Sequence, residues 1–324
     1  MPISDVAVLT HGADCPAMNA AIRAVVRMAA HQGCETQGVR HGFDGLLAGE
    51  FVPLASRAVS GTIERGGTLL GTGAASLDGP VQLRGALREL NEARADALVV
   101  IGGREAMRGG AALAAAGFPV VGVPASIEDD VSGTDQAIGV DTALNTALDA
   151  LDRIKDTASA QQEAFVVEVA GQHSGRLALL TAMAGGAEVL CVPEQPNSAD
   201  RVAAEVADAY VRGKQHCIVV VAEGARPTAQ ELASELARRH EDVGFATRLI
   251  MLSHLQRGGK PLASDRCLAT RLGAAAVIQL AHGQSGVMVG LVDGVLTCTP
   301  LAQTAKDPRP LDDDKLKMAG ILAR

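Results

Sequence analysis

Short apolar runs alternate with amphipathic stretches along most of the chain. Val6 to Leu9, Ala97 to Ile101 and Cys217 to Ala222 are apolar at every position, which is typical of strands buried on both faces. Leu83 to Ala93 instead has apolar residues at helical spacing. Strands that alternate with helices at this pitch predict parallel sheets with helices on both faces. The pattern therefore indicates the α/β class.

The same reasoning extends the prediction to both halves of the chain. Further strands are predicted at 165–169, 189–192 and 287–292, and further helices at 18–32, 142–155, 200–212, 231–240 and 269–282. The QRGG segment at 256–259 predicts a turn. No low-complexity linker separates the two halves, which favours two domains without a long connecting segment.

Glycine-containing turns follow two of the apolar runs and open a helix. THGADCPAMN follows Val6 to Leu9, and GGREAMRGG follows Ala97 to Ile101. Such a turn suits phosphate, because free backbone N–H groups and the positive end of the helix dipole face the anion. Arg23 and Arg27 are four residues apart on the first helix and share a face. A phosphate clamp and a solvated face both remain open for them.

Three consecutive acids, Glu128, Asp129 and Asp130, follow an apolar run at 118–123. A buried strand that ends in carboxylates places them at the carboxyl end of a sheet, where α/β proteins bind ligands. Carboxylates there can hold magnesium or accept a proton from an attacking hydroxyl. A solvated acidic loop fits the same residues equally well.

Composition narrows the function classes. The 324 residues are enough for two domains with their own cores. The chain has no Trp, one Tyr and five Phe, so the core must consist of Ala, Val, Leu and Ile. The net charge of −8 and the shortage of aromatic residues argue against nucleic acid as a partner.

The six cysteines form no CxxC pair, which indicates reduced thiols and a cytoplasmic protein rather than zinc ligands or a disulfide framework. The N-terminal segment MPISDVAVLT lacks a basic region and a long apolar run, so no signal peptide is expected. No apolar stretch approaches the length of a membrane span, and no membrane association is predicted.

Several longer motifs occur in a fixed order and spacing. They are PAMNAAIRAVVR (16–27), ALVVIGG (97–103), SIEDDVSGTDQAIGVDTALNTALDALDRIKDTAS (126–159), VVEVAGQHSG (166–175), GGAEVLCVPE (185–194) and HLQRGGKPLASDR (254–266). Through these motifs the chain resembles the ATP-dependent 6-phosphofructokinases over nearly its whole length. GGREA and GVDTALN also resemble the regulatory C-terminal halves of the eukaryotic members.

The resemblance implies a two-lobed phosphofructokinase-like α/β fold with parallel sheets flanked by helices. Residues 1–139 plus about 256–305 would form the nucleotide-side lobe, and 140–255 plus about 306–324 the sugar-phosphate-side lobe. Members of the family are commonly tetramers, so a homo-tetramer is one predicted assembly.

The predicted nucleotide site departs from the family at several positions. It comprises Gly12, Ala13, Gly102, Gly103 and Arg104. Ala13 replaces the second glycine of a pair, so a methyl group projects where backbone should approach phosphate. Arg104 replaces an aspartate that handles magnesium, and a guanidinium cannot coordinate a cation. His11, in the same turn, is predicted to have a surface or capping role.

The candidate catalytic residues are Glu128, which replaces the family's aspartate base, and Asp130. The longer Glu128 side chain displaces its carboxyl by roughly 1 Å or more, and such a misplacement can lower a rate on the order of 10²-fold. We predict that Arg104 lies close to Glu128 or Asp130 and forms an ion pair there. The family's arginines after Leu70 and before the VVEV strand are also replaced, the second of them by Glu163.

The residues of the sugar-phosphate-side lobe match the family more closely than those of the nucleotide site. The candidate substrate-binding residues are Ser126, Gly171, Gln172, Glu223, Arg248, His254 and Arg257, although Gln172 replaces a family arginine. Arginines suit phosphate and Glu223 suits a sugar hydroxyl, but a structural capping role at the QRGG turn remains open for His254 and Arg257. The resemblance also implies an effector site, which comprises Arg23, Arg27, Lys155, Glu188, Arg212 and Lys214.

From these replacements the sequence predicts a phosphofructokinase homologue with a degraded catalytic site. It would bind sugar phosphate or a nucleotide effector as a regulatory or non-catalytic subunit, with no metal ligand and no bound cofactor, in a homo-tetramer or in a hetero-oligomer with an active paralogue. One alternative is an active 6-phosphofructokinase that uses ATP and Mg²⁺ with Glu128 as base. The other alternative is a structural partner without a ligand. A pyrophosphate-using enzyme is disfavoured, because no extra Asp or Lys replaces the nucleotide contacts.

Overall fold

A computed structural model of the protein describes residues 3–305 and 309–323. The strands in these ranges are β1 (Asp5–His11), β2 (Glu35–Val39), β3 (Phe51–Pro53), β4 (Ala97–Gly102), β5 (Val120–Pro124), β6 (Glu163–Val169), β7 (Val189–Cys191), β8 (Cys217–Ala222), β9 (Ala246–Met251), β10 (Val287–Val292) and β11 (Val295–Pro300). The helices are α1 (Met18–His31), α2 (Gly42–Leu47), α3 (Pro80–Glu92), α4 (Arg104–Ala115), α5 (Val140–Gln161), α6 (Arg176–Gly185), α7 (Ala199–Val211), α8 (Ala229–Arg238), α9 (His240–Val243), α10 (Ser253–Arg257), α11 (Ala263–Ala281), α12 (Leu301–Thr304) and α13 (Asp313–Leu322).

The chain divides into two compact units. The first takes its described residues from Met1–Ser126, Asp130–Thr142 and Arg257–Arg309, and the second from Ile127–Asp129, Ala143–Gln256 and Pro310–Arg324.

The first unit is built on a seven-stranded sheet with the order β11-β10-β5-β4-β1-β2-β3. Its five central strands pair in parallel, and the outer pairs β10–β11 and β2–β3 are antiparallel. Every residue of β4 is buried, as the uninterrupted apolar sequence predicts for a strand covered on both faces. The core around it consists mostly of aliphatic side chains, with Phe43 as its largest member.

The second unit has a four-stranded, fully parallel sheet with the order β7-β8-β6-β9. Strands β6 and β8 are buried along their whole length, whereas the edge strand β9 has only exposed and half-buried positions. Clusters of buried, mostly aliphatic side chains pack against the sheet. The prediction of an α/β fold with parallel sheets flanked by helices is confirmed.

Several elements differ from the sequence-based prediction. The segment 253–257 forms the short helix α10 where a turn was expected to begin, and a number of elements, β11 and α13 among them, were not predicted at all. Strand β11 has no fully buried position, and α13 buries none of its residues, so neither carries a clear apolar pattern. No helix within the described residues is long and apolar enough to cross a membrane.

Candidate functional site

The sheet of the first unit changes its direction of winding between β1 and β4. From β1 the chain continues to β2 on one side, while β4 pairs with β1 on the other side, so that His11 lies opposite Gly102. Ligands of α/β sheets bind outside the carboxyl ends of the strands at such a switch point. Gly12 and Gly103, which follow the two strands directly, therefore lie at the expected ligand position of this sheet.

The turn after β1 has open space above its backbone. Gly12 has a φ of 85°, its N–H donates to the Gly73 carbonyl at 3.2 Å, and a Cβ built on it would meet no atom within 4 Å. Ala13 is exposed beside it. A left-handed glycine with free space next to it allows an anion to approach the backbone closely.

His11 is buried and supports the neighbouring helix. Its Nδ1 accepts the Phe43 N–H at 3.3 Å near the beginning of α2, and its ring lies 4.2 Å from the Phe43 ring. Burial lowers the pKa of His11, while Glu105 and Asp44 partly oppose the shift. The side chain is enclosed in the core, so the capping part of the prediction agrees with the structure and the surface part is wrong.

Asn19 anchors the loop that crosses the carboxyl end of β1, and sequence reasoning missed it. Its Nδ2 donates to the carbonyls of Arg65 and Gly66 at 3.1 Å, and its Oδ1 accepts the Leu69 N–H at 2.7 Å. A buried polar side chain just after a glycine turn, in PAMNA, was the available signal. A Cβ on Gly66 would lie 2.2 Å from the Gly259 carbonyl oxygen, so the QRGG segment packs directly against this loop.

Arg104 is the first residue of α4 and follows β4 through Gly103. Its Nη1 lies 3.7 Å from Asp130 Oδ2, and its side chain is 26% exposed. The predicted ion pair between Arg104 and an acid of the loop is therefore confirmed for Asp130. Within the described residues, the buried Nε of Arg104 donates no hydrogen bond.

Each acid of the loop is engaged by a nitrogen donor. Glu128 Oε2 accepts the His173 N–H at 3.1 Å. Asp129, with a φ of 53°, accepts a hydrogen bond from Arg176 Nε at 3.0 Å. Asp130 pairs with the guanidinium described above. Each of the three acids therefore has a contact that restrains the loop. A freely solvated acidic loop is excluded, because Asp129 and Asp130 are buried.

The surroundings of Asp130 are unfavourable for a divalent cation, because a guanidinium lies 3.7 Å from its carboxylate. Magnesium requires a near-octahedral set of oxygen ligands, commonly one or two carboxylates together with phosphate oxygens and waters. The described ranges 3–305 and 309–323 contain no group of three His, Cys, Asp or Glu side chains arranged for a metal. The carboxylate of Asp130 faces a guanidinium, which repels a cation.

Asp265 holds the segment at 139–142, where the chain that follows the three acids enters α5. Its carboxylate is fully buried in α11 and accepts the N–H groups of Gly139 and Thr142 at 2.8 Å and the Thr142 hydroxyl at 2.6 Å. Burial raises the pKa of Asp265, the hydrogen bonds from Thr142 and Gly139 oppose the shift, and Asp141 adds to it. Asp265 thereby caps the N-terminus of α5, although no local pattern revealed it.

In the second unit, polar residues follow the carboxyl ends of three neighbouring strands. Gly171 and Gln172 come after β6, Glu223 comes directly after β8, and His254 lies in α10 after β9. A Cβ on Gly224 would lie 2.0 Å from the Gln172 carbonyl oxygen, so the two turns are in close contact. Within the described residues, the buried Oε2 of Glu223 has no hydrogen-bond partner and can accept one from a ligand.

Glu168, near the end of β6, lies beside this group. Its Oε1 accepts the Ser253 hydroxyl at 3.0 Å. Burial raises the pKa of Glu168, the bond from Ser253 opposes the shift, and the negative charge of Glu223 adds to it.

Arg248 lies apart from the strand ends. It is paired with Phe165 in the register of β6 and β9, and its Nε and Nη2 are both 2.9 Å from Glu163 Oε1 at the beginning of β6. The carboxylate of Glu163 is buried, whereas the Arg248 side chain is 62% exposed. Arg248 therefore contacts Glu163, which stands where the family has an arginine.

The remaining candidates occupy separate places. Arg257 belongs to the first unit, where its buried Nε has no hydrogen-bond partner within the described residues. Ser126 follows the bridge that joins Ala125 to Ile138, and its N–H donates to the Ile138 carbonyl at 3.0 Å. A Cβ on Gly103 would lie 3.4 Å from Ser126 Cβ, so these two residues are neighbours.

The effector candidates divide between the units. Arg23 is half-buried and Arg27 exposed on α1 of the first unit. In the second unit Lys214 Nζ contacts Glu188 Oε1 at 2.9 Å. Arg212 instead pairs with Asp208 of its own helix at 2.9 Å, and Lys155 with Asp152 at 3.6 Å.

Comparisons with known proteins agree with this architecture. The profile of the family described as Phosphofructokinase matches residues 5–280. The chain is 46% identical over 320 residues to "ATP-dependent 6-phosphofructokinase 1" of Thermus thermophilus, covering 98% of this chain and 99% of that protein. It is 42% identical over 322 residues to "ATP-dependent 6-phosphofructokinase" of Listeria welshimeri, again covering 98% and 99%.

Solved structures of phosphofructokinases have the same fold. The phosphofructokinase of Saccharomyces cerevisiae superposes with a TM-score of 0.84 and 31% identity, over 99% of this chain and 48% of that chain. The pyrophosphate-dependent phosphofructokinase of Marinobacter aquaeolei superposes with a TM-score of 0.87 over 98% of this chain and 88% of that chain. At 20% identity the second likeness concerns the fold alone.

These relatives overturn the prediction of a regulatory or non-catalytic subunit, and that prediction is wrong. Chains that match this one at 42–46% identity from end to end are named as ATP-dependent 6-phosphofructokinases. The prediction treated each replaced residue as a separate loss of function. The structure instead shows replaced residues that pair with other charges of the chain, such as Glu163 with Arg248. From the profile match, the identity and the superposed fold together, the chain belongs to the phosphofructokinase family.

Proposed function

We propose that the protein is an active ATP-dependent 6-phosphofructokinase, which transfers the γ-phosphoryl group of ATP to a free hydroxyl of fructose 6-phosphate. The observation that carries the proposal is the convergence of Gly12, Gly103 and the first turn of α4 at the β1/β4 switch point. Backbone N–H groups and a helix N-terminus at this position suit the phosphates of a nucleotide. The names of the full-length relatives support the same reaction.

In the proposed reaction Glu128 acts as the general base. It takes the proton of the sugar hydroxyl, the hydroxyl oxygen bonds to the γ-phosphorus, and the bond to the β–γ bridging oxygen breaks to release ADP. The His173 N–H holds one oxygen of Glu128 at 3.1 Å and thereby orients the carboxyl group. That group retains the chemistry of the family's aspartate base.

Glu223 and Arg248 are proposed to bind the acceptor sugar. The unpartnered Oε2 of Glu223, within the part of the chain that the structure describes, suits a hydroxyl group of fructose 6-phosphate. Gly171, Gln172 and His254, which follow the neighbouring strand ends, would line the same side. Arg248 lies apart from these strand ends, and its guanidinium would serve the phosphate of a sugar bound by a neighbouring subunit. The effector site around Arg23 and Arg27 and the homo-tetrameric assembly stay predictions.

A coupled assay with ATP and fructose 6-phosphate tests the proposal. We expect turnover from protein that was purified from a host without its own phosphofructokinase. Glu128→Gln should lower kcat by about 10²- to 10⁴-fold with little change in the KM for the sugar, because the base acts on the chemical step. Glu241→Gln, an exposed acid of α9 that belongs to no proposed site, is the control and should leave kcat unchanged. Absence of turnover in the unaltered protein would contradict the proposal.

A further inference from the structure

Arg104 combines features that point to an anionic ligand. It opens α4, a helix of 12 residues, directly beyond the carboxyl end of β4. A positive side chain in the first turn is unfavourable with the helix dipole, because the N-terminus already carries a partial positive charge. The first turn holds Glu105 as well, but this carboxylate is exposed and pairs with Arg108 at 3.9 Å.

The pairing with Asp130 leaves most of the guanidinium unused. The Nη1 to Oδ2 distance of 3.7 Å exceeds that of a hydrogen bond. An arginine has five N–H donors, and the buried Nε of Arg104 has no acceptor within the described residues. About a quarter of the side chain, 26%, is open to solvent and to a ligand. Asp130 therefore orients the guanidinium without saturating it.

The divalent cation that the family uses would meet an unfavourable charge at this place. The carboxylate of Asp130 has the Arg104 guanidinium 3.7 Å away, and this positive charge disfavours a cation there. The phosphates of ATP nevertheless need positive charge, since phosphoryl transfer depends on its neutralisation. A guanidinium supplies a permanent charge and binds phosphate oxygens in a bidentate manner.

We infer that Arg104 is a ligand of the donor phosphates and that its charge takes over part of the role of a protein-held divalent cation. The inference rests on the proposed function, because it assigns the donor side of that reaction. An Arg104 that contacts phosphate prefers the more negative, metal-free nucleotide. The chain therefore binds ATP with little dependence on Mg²⁺, whereas an aspartate at position 104 would require the cation.

Calorimetric titration with ATP, without sugar, tests this directly. The unaltered protein is titrated in the presence of a chelator and again with excess Mg²⁺, and we expect the two Kd values to agree within about threefold. Arg104→Gln should weaken metal-free binding by about 10- to 100-fold, the usual effect of losing a charge-assisted hydrogen bond. Arg104→Asp should abolish metal-free binding and make binding dependent on Mg²⁺.

Arg108→Asp is the matched control. It makes the same change of charge one turn further along α4, where Arg108 is half-exposed and contacts Asp78 at 3.2 Å. Its effect on both Kd values should stay within about twofold, because exposed pairs contribute little. Equal loss of metal-free affinity in both variants would reduce Arg104 to a general electrostatic effect and overturn the inference.

The unaltered protein decides the question even if a variant does not fold. Metal-free ATP that binds more than about 30-fold more weakly than the magnesium complex contradicts the inference, and so does the absence of ATP binding under both conditions. The proposed function fails separately: normal binding of metal-free ATP without turnover of fructose 6-phosphate would refute the kinase activity and leave the assignment of Arg104 intact.

Discussion

Arg176 and Asp129 form a buried ion pair that holds the middle of the acidic loop. Arg176 Nε lies 3.0 Å from Asp129 Oδ2, and the two side chains are only 10% and 3% exposed. Arg176 Nη1 also donates to the Pro310 carbonyl at 3.0 Å. Because Asp129 adjoins Glu128 in the chain, this pair fixes the backbone that carries the proposed base.

Removal of the arginine should destabilise the protein strongly. Arg176→Met removes the buried cation that lies 3.0 Å from the Asp129 carboxylate, and the loss of one partner of a buried pair costs about 3–5 kcal/mol. Thermal unfolding should show a large decrease in Tm, and adding Asp129→Asn should restore part of it, because the two substitutions act on the same pair. Arg238→Met, which breaks an exposed pair with Glu235 on α8, is the control. Equal Tm changes in Arg176→Met and Arg238→Met would contradict the prediction.

The Glu163–Arg248 pair should tune affinity for the sugar phosphate. Glu163→Gln keeps an acceptor for Arg248 but removes the negative charge, so the guanidinium becomes more available to phosphate. A partly exposed pair contributes about 0.2–1 kcal/mol, so the KM for fructose 6-phosphate should fall by about two- to fivefold at most. Arg248→Ala should raise the same KM by about tenfold or more.

Steady-state kinetics at saturating ATP measure both effects. Glu205→Gln, an exposed acid of α7 in the same unit, should leave the KM unchanged. An unchanged KM in Arg248→Ala would show that Arg248 does not contact the substrate, and the predicted gain from Glu163→Gln would then have no basis.

The strand–glycine–helix pattern was sufficient for most of the buried strands of both sheets and for the ligand end of the first unit. Buried strands such as β4 and β8 are apolar at nearly every position, so their place in the chain was visible without a structure. Helix α10 was missed because five residues carry too little periodicity. Helix α13 was missed because none of its side chains is buried and no apolar face repeats.

Ion pairs between residues that are distant in sequence were harder to predict than the strands and helices. Arg104 and Asp130 could be placed together because the family resemblance brings the two turns to the same sheet end. Nothing local connects Arg176 with Asp129, which are 47 residues apart. The resemblance also marked Glu163 as a lost arginine, but only the structure reveals that it binds Arg248. The mistaken prediction of a non-catalytic chain arose because each replaced residue was counted as a separate loss. In the structure a replaced residue such as Glu163 forms a pair with another charge of the chain.

Asp265 should be essential for the end of the acidic loop. Asp265→Asn must turn its amide toward one of the N–H donors of Gly139 and Thr142, so at least one buried hydrogen bond is lost. The expected cost is about 1–3 kcal/mol, together with faster amide hydrogen exchange at the beginning of α5. Ser264→Ala removes the neighbouring surface hydrogen bond to Asp141 and should cost less than about 0.5 kcal/mol. Unchanged exchange in Asp265→Asn would exclude this anchoring role.

Glu168 should make stability depend on pH. Its pKa in the folded protein is raised above 4.5 by burial and by the charge of Glu223, against the hydrogen bond from Ser253. The folded state therefore holds this proton more tightly than the unfolded state, and stability decreases as pH rises through the folded-state pKa. In Glu168→Gln the side chain no longer ionises, while the amide oxygen of the introduced glutamine can still accept the Ser253 hydroxyl.

The difference in Tm between Glu168→Gln and the unaltered protein should thus increase in favour of the variant as the pH rises above 4.5 and through the folded-state pKa of Glu168. A Tm advantage of Glu168→Gln that shrinks toward alkaline pH would mean that the charged form of Glu168 is stabilised in the folded protein, in contradiction to the burial that surrounds it.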